Sequence, residues 1–505
     1  MFDFPRAILG ELIIHQKGFA FKSKDYQEAG IPVVRVSNFT DDSIDTSDLK
    51  FVSKEVAQEN QKVALNTNDV IIATVGSWPK NPASIVGKSI CVPSEMNGAL
   101  MNQNSVILRV KGACEVDQKY LFIALKTKLF SEYLVSTAQG SANQASVTLS
   151  DIFSYEVEWP EPAIRKSIVS MIDSVNQKII LNRQTNQTLE QIAQTIFKSW
   201  FVDFEPTRAK IAAKQIGQAR HDSERSTALR GALLADGRWP EAVAAAIAEG
   251  DPERAAMAAI SGKSLDEIDQ LSPEQQEQLR TTAALFPDAL VDSELGEIPE
   301  GWALSRLGDV TTELRRGISP KYTEANGIQV INQKCIRNHS INFELTRLND
   351  PQKRKVVGRK VELGDVLVNS TGVGTLGRLA PVRFLPEPTV FDSHVTVVRA
   401  DKSKISKSFL CGLMLEKETF IETSGAGSTG QTELRKQVLE DIKFAMPPID
   451  LGIIFEGIVE PMNKKIATLE VQQKSLSETR NTLLPKLLSG ELTTSSDQTD
   501  LDHTA

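Results

Sequence analysis

Cysteine is scarce in this chain, with four in 505 residues. Cys91, Cys114, Cys335 and Cys411 lie far apart without a CxxC spacing, which supports neither a disulfide framework nor a zinc ribbon and suits reduced, mostly buried thiols. Histidine is almost as rare. His15, His221, His339, His394 and His503 form no HExxH pair, so no metal site is expected. Long apolar runs are missing too: none approaches the roughly 18 residues that span a bilayer. The opening Met1-Phe2-Asp3-Phe4-Pro5-Arg6 has no basic stretch leading into an apolar one. A cytoplasmic protein without membrane contact is the expectation.

Catalytic signatures are equally thin. A nucleotide-dependent enzyme needs a phosphate loop such as GxxxxGK[ST], and Gly372-Val373-Gly374 and Gly425-Ala426-Gly427 are only lone GxG pieces. An adenine methyltransferase needs an Asp/Asn-Pro-Pro-aromatic motif to hold a flipped base. Asn81-Pro82-Ala83-Ser84 and Met446-Pro447-Pro448-Ile449 both lack the necessary neighbours. No nucleophile, base and orienting group can be assembled, so catalytic residues are expected to be none.

What the chain does have is a folded protein's mix, 41% hydrophobic and 24% charged residues, over a length that suits roughly three to four compact units. Its net charge of −8 at first disfavours phosphate-rich partners, but the charge is unevenly placed. Residues 298–447 carry about +5, residues 207–297 about −6 and residues 1–159 about −3.

A repeat organises the chain. Leu9-Gly10-Glu11 answers to Leu307-Gly308-Asp309, Gly30-Ile31-Pro32-Val33-Val34 to Gly327-Ile328-Gln329-Val330-Ile331, and Asn68-Asp69-Val70-Ile71-Ile72 to Gly364-Asp365-Val366-Leu367-Val368. Gln139-Gly140-Ser141 then answers to Ala426-Gly427-Ser428. Short runs rich in β-branched residues, among them Val33 to Val36, Val70 to Val75 and Ser105 to Val110, alternate with Gly, Pro, Asn and Asp and read as strands and turns.

Each repeat then changes period. Ile164, Ile168, Met171, Val175, Lys178, Asn182, Thr185, Leu189, Ile192 and Ile196 are spaced alternately four and three, a heptad seam on one long helix from about Ala163 to Val202. Leu451, Phe455, Ile458, Met462, Lys465, Leu469, Gln472, Leu476, Thr479 and Leu483 repeat it at one constant offset. The shared polar positions, Lys178 with Lys465 and Thr185 with Gln472, suit helices that pair with each other and fix register by polar groups. The residues expected to pair them are Ile168, Met171, Val175, Leu189, Phe455, Ile458, Met462 and Leu476. Pro485 should bend or end the second helix early, with Gly490 as a stop. Between the repeats, Ala-rich runs at 242–247 and 255–260 suggest short helices in a solvated connector.

The expected class is therefore α+β. Two mixed, β-rich domains are repeated in tandem, each followed by a long helix, the two helices pairing as an antiparallel coiled coil with a helical insertion between repeats. The divisions are 1–160 and 161–206 for the first domain and helix, 207–291 for the insertion, 292–448 and 449–492 for the second domain and helix, and 493–505 for a disordered tail.

Several longer strings sharpen this. They are Gly140-Ser141-Ala142-Asn143-Gln144 before Leu149-Ser150-Asp151-Ile152, Trp159-Pro160 ahead of the first helix, and Phe197-Lys198-Ser199-Trp200-Phe201 with Asp203-Phe204. Next come Asp292-Ser293-Glu294-Leu295-Gly296-Glu297-Ile298-Pro299-Glu300-Gly301-Trp302 and Leu484-Pro485-Lys486-Leu487-Leu488-Ser489-Gly490-Glu491-Leu492. With these strings the chain resembles the specificity subunit of type I restriction-modification systems over nearly its whole length. The resemblance implies two target-recognition domains, each reading one half of a split, asymmetric site in double-stranded DNA. It also implies a non-catalytic role. Two methylation subunits using S-adenosylmethionine would dock on the helices, and restriction/translocase subunits using ATP and Mg would complete the complex, with no cofactor held by this chain.

Reading bases requires side chains that hydrogen-bond base edges, with others to hold phosphate. Three loops per domain suit that work. In the first domain they hold Lys22 and Lys24; Ser77, Trp78, Lys80 and Asn81; and Ser141, Asn143 and Gln144. In the second they hold Arg315, Arg316, Lys321 and Tyr322; Asn369, Ser370, Thr371 and Arg378; and Ser428, Thr429 and Gln431. The competing readings are a structural coiled-coil scaffold and a self-sufficient DNA adenine methyltransferase. The first leaves two diverged domains with polar loops unexplained, and the second lacks its motifs.

Overall fold

The computed structural model describes residues 4–40, 42–46, 48–78, 86–141, 144–372, 374–425 and 433–492. It divides into two compact units, one built from the residues up to Leu181 together with those from Gln472 onward, the other from Asn182–Val471. Among the described residues no helix is long and apolar enough to cross a membrane.

The first unit is organised by Val70–Ala73, four consecutive residues without solvent exposure. A strand apolar on both faces must be covered on both sides. It is central to an antiparallel sheet in the order Ile13–Lys17, Ser105–Val110, Val70–Ala73, Ser89–Cys91. Alternate residues enter different cores, as the two-residue period of a strand dictates. Val70, Ile72, Val106 and Leu108 pack beneath the helix Glu115–Leu125 with Tyr120 and Leu121. Ile71, Ile90 and Ile107 face a second sheet with Val33, Val34, Val52 and Leu100. That sheet runs Tyr26–Gln27, Lys50–Val52, Ile31–Val34, Leu100–Met101, with the last pair parallel.

The second unit repeats the plan. Its main sheet runs Thr311–Arg316, Val395–Ala400, Val366–Asn369, Leu379–Pro381. The smaller sheet runs Tyr322–Thr323, Arg347–Asn349, Ile328–Ile331, Thr389–Phe391, and its last pair is again parallel. The duplication extends to buried chemistry. Arg109 grips Asp69 with both carboxylate oxygens engaged, at 2.7 and 2.6 Å, and Arg399 grips Asp365 in the same way at 2.7 and 2.7 Å. Gly18 and Gly317 mark another shared spot. A Cβ at either would lie 1.9 Å from a main-chain oxygen, of Asn102 or Phe391, so only glycine lets the strands approach there.

In each unit an opening strand pairs with the strand just before the long helix, Arg6–Ile8 with Glu156–Glu158 and Ala303–Arg306 with Lys443–Met446. The helices follow, Pro162–Phe201 and Ile449–Leu488, each 40 residues long. Inside the first unit, Ile168 and Ile172 share a core with Leu484, Leu487 and Leu488, and Arg480 donates to Asn176 at 2.9 Å. Residue numbers rise on one helix as they fall on the other, so these segments run antiparallel. Inside the second unit, Phe455 packs against Phe197, Trp200 and Phe201 at ring distances of 5.8, 6.2 and 5.2 Å.

The buried stripe corrects the heptad reading. Ile168 and Phe455 are buried and Val175, Leu189, Met462 and Leu476 half-buried, but Met171 and Ile458 are 37% and 36% exposed and Lys178 and Lys465 face solvent. At those places the buried residues are Ile172 and Ile179 on one helix and Val459 and Ile466 on the other, while the expected Asn182 and Leu469 are buried as well. Alternate seam positions have moved one residue on, identically in both repeats. The physical reason is breadth: a helix lodged against a globular domain buries a face wider than a two-residue seam. Pro485 is a second correction. The helix continues to Leu488, because a proline in its last turn forfeits one N–H without displacing the buried Leu487 and Leu488.

The insertion also differs from a solvated connector. Six helices, Glu205–Gln218, Ser223–Asp236, Glu241–Ala248, Pro252–Ser261, Leu265–Asp269 and Pro273–Ala284, enclose a core of their own. Ala213, Ala246, Ala255, Ala256 and Ala258 are fully buried there with Ile216 and Met257, small side chains that let helices approach closely. The proposed tail, residues 493–505, lies outside the described residues.

Candidate nucleic-acid interface

Each main sheet ends in the same corner, built by the same main-chain bonds. In the first domain Thr74 donates to the Asn104 carbonyl at 2.9 Å, and Val147 donates to Thr74 at 3.0 Å. In the second, Ser370 donates to His394 and Leu434 to Ser370, both at 2.8 Å. This equivalence pairs Lys17 with Arg316, Asn104 with His394 and Val75 with Thr371. One scaffold thus presents different side chains at two matching places.

Around the first corner the structure gathers Ser77, Trp78, Ser141 and Gln144. The strands Gln139–Ser141, Gln144–Ser146 and Val75–Gly76 form a small sheet, and the Trp78 indole donates to the Ser141 carbonyl at 2.7 Å. Ser141 and Gln144 are exposed, whereas Trp78 is partly buried against the core, so its ring positions the hairpin. Lys22 and Lys24 stand exposed on a separate turn, where the Lys22 amide donates to Asp25 at 2.9 Å. Lys80, Asn81 and Asn143 lie outside the described residues.

The second corner corrects part of the sequence reading. Asn369 and Ser370 are fully buried. Asn369 Nδ2 donates to the Gln333 carbonyl at 3.0 Å, and Ser370 Oγ lies 2.5 Å from Thr396 Oγ1. They end a strand inside the fold, where polar side chains must find internal partners, and cannot reach a base as placed. Thr371 does reach the surface, with Oγ1 2.7 Å from His394 Nδ1. Arg316 donates to the Leu434 carbonyl at 3.0 Å and pairs with Glu433, while Arg315 holds Glu313 at 2.8 Å. Arg378 is half-buried, its carbonyl accepting from Asn369. Lys321 is exposed, and Arg347 stacks 3.3 Å from the centroid of the Tyr322 ring. Ser428, Thr429 and Gln431 lie outside the described residues.

Sequence reasoning passed over Gln103, Asn104 and His394, exposed residues on the turn before the central strand. Their signal was the repeat itself: aligning the strands Ser105–Val110 and Val395–Ala400 places the preceding turns at equivalent positions. It also passed over Lys353, Arg354, Lys355, Arg359 and Lys360, which local charge density alone would have marked.

Charged groups fasten each domain to the long-helix segments of its own unit. In the first unit Lys119 pairs with Asp173 at 3.0 Å, and Arg480 with Asp42 at 2.8 Å. In the second, Glu190 pairs with Arg383 at 2.7 Å, Arg383 donates to Asn463 at 3.3 Å, and Ser340 donates to Glu470 at 2.6 Å. His339 sits between Glu418 at 2.6 Å and Glu190 at 3.7 Å. Burial opposes its charge, but hydrogen bonds to the two carboxylates carry its pKa up to about 9. Burial pushes the Glu470 carboxyl up.

A family model described as the type I restriction modification DNA specificity domain matches residues 7–191 and 299–474. The HindI type I restriction enzyme specificity subunit of Haemophilus influenzae is 25% identical over 450 residues, covering 85% of this chain and 88% of its own. The MjaIX specificity subunit of Methanocaldococcus jannaschii is 23% identical over 390 residues, covering 75% of this chain and 69% of its own. A solved type I restriction-modification S subunit from M. genitalium covers 96% of each chain at 12% identity, with a TM-score of 0.42.

Proposed function

Because this chain belongs to the type I restriction-modification DNA specificity family, we propose that its two domains read the two halves of one split, asymmetric DNA site. The observation that carries this is the pair of matching corners on a duplicated scaffold with unlike side chains. Equal scaffolds present equal approaches to a duplex, as the halves of a dimeric reader do. Unlike residues then select unlike half-sites. His394, Thr371 and Arg316 in one corner, and Asn104, Gln144 and Ser141 in the other, supply donors and acceptors for base edges or phosphate.

The chemistry belongs to other chains in this reading. Methylation subunits would bring S-adenosylmethionine to adenine, and restriction/translocase subunits would use ATP and Mg, all in the cytoplasm. This chain's residues position DNA. Single-molecule sequencing of genomic DNA, with and without the gene, tests it. A methylated adenine motif in two parts separated by an unread gap, lost with the gene, is the expected result. A continuous motif, or methylation that persists without the gene, refutes it.

A further inference from the structure

The two repeats differ between their smaller and main sheets. In the second domain the segment from Gln352 to Val361 carries Lys353, Arg354, Lys355, Arg359 and Lys360 and no acidic residue. All but Arg359 are exposed, and Val357 at the tip is 88% exposed, so the segment stands clear of the surface. It is nevertheless a built feature. The fully buried Asn349 donates to the Arg354 carbonyl at 3.0 Å, Arg315 donates to the Gly358 carbonyl, and Arg359 donates to the Arg316 carbonyl at 3.0 Å. Asp350 pairs with Lys353 at 3.4 Å. The equivalent stretch of the first domain is the helix Lys54–Glu59 and the turn Gln61–Val63, where Lys54 and Lys62 are balanced by Glu55 and Glu59.

We infer that residues 353–360 anchor the phosphate backbone of duplex DNA, and that this anchor exists on the second domain alone. The inference rests on the DNA-reading role proposed above and adds an asymmetry to it. Exposed cations held in a braced loop displace condensed counterions from DNA, which gives sequence-independent, salt-sensitive grip. Arg316 belongs both to the brace and to the reading corner, so the grip lies beside the bases to be read. The second half-site is therefore held electrostatically, and the first is held by its hydrogen bonds and by partner subunits.

The test uses the full chain assembled with its methylation subunits, with fluorescent duplexes that contain or lack the split motif. The triple variant Lys353→Gln, Arg354→Gln, Lys355→Gln is compared with Lys54→Gln, Lys62→Gln. Each lost phosphate contact lowers the slope of log affinity against log salt by about 0.9, so the triple variant should lose about 2.7. Between about 50 and 200 mM salt the unmodified assembly should then weaken about 40-fold more than the triple variant, on both duplexes. The methylated motif and the first-domain variant's salt slope should stay unchanged. An unaltered slope in the triple variant overturns the anchor, and so does a change in the second half of the motif, which would make these residues base readers. Absence of any split motif in the unmodified system would instead overturn the underlying reading, while the slopes still report on the anchor.

Discussion

Replacing Glu190 by alanine measures how firmly the second domain is fixed to the helices of its own unit. Glu190 lies on the first long helix, and its partner Arg383, with a side chain 6% exposed, belongs to the domain. Removing one member of such a buried pair costs about 3–5 kcal/mol, because the other is left charged without its counterion. Arg383 keeps the His339 carbonyl at 3.0 Å and Asn463, so the lower end, about 3 kcal/mol, is expected. The same substitution acts through His339. Its pKa of about 9 lies above the ordinary 6.5, so the stability it contributes is complete below pH 6.5 and disappears as pH rises through 9. Linkage puts that contribution at about 3 kcal/mol. In Glu190→Ala only Glu418 remains as its partner, so the loss between those pH values should shrink. Denaturant unfolding of the full chain across that pH range is the assay. A variant within about 0.5 kcal/mol of the parent, the size of an ordinary surface substitution, with the same pH dependence, would refute the reasoning.

Other outcomes follow from the same structure. Trp78→Phe removes the bond to the Ser141 carbonyl, worth about 1 kcal/mol, and should relax the first half of the methylated motif while leaving the second intact, as read by methylation sequencing. Asp69→Ala should destabilise the first unit by about 3–5 kcal/mol, because it leaves Arg109 without a carboxylate partner among the described residues, and Asp365→Ala should cost the second unit less, because Arg399 keeps Glu362 at 2.6 Å and Glu313 at 3.6 Å; equal losses in calorimetry would contradict that difference. Inserting one heptad into each long helix adds about 10 Å, and should lengthen the unread gap by about three base pairs at 3.4 Å each. An unchanged gap in the recovered motif would show that the helices do not set it.

The duplication was legible because it is written in short, ordered strings, and Asp69 with Asp365 shows why those strings matter: both carboxylates hold an arginine on the neighbouring strand. The long helices were legible from period alone; the first spans Pro162–Phe201, close to the expected Ala163 to Val202, while the second runs past Pro485 to Leu488. The face they bury was not, because a heptad count places Met171 and Lys178 inward, whereas packing against a domain selects Ile172 and Ile179. Asn369 and Ser370 illustrate the same limit at the site. Polar residues after an apolar strand read as a surface loop, yet the strand's last turn is inside, and only Thr371 emerges. The insertion was misjudged for a related reason, since alanine carries little hydrophobic signal per residue but buries completely when helices approach closely.

The first unit takes Leu484, Leu487 and Leu488 into the core formed with Tyr120, Leu121 and Ile168. A ribosome releases these leucines more than three hundred residues after the strands whose core they join, so that core is completed only once the contiguous Asn182–Val471 stretch has been synthesised. Prematurely terminated chains would keep that core unsealed and offer its apolar interior to chaperones and proteases.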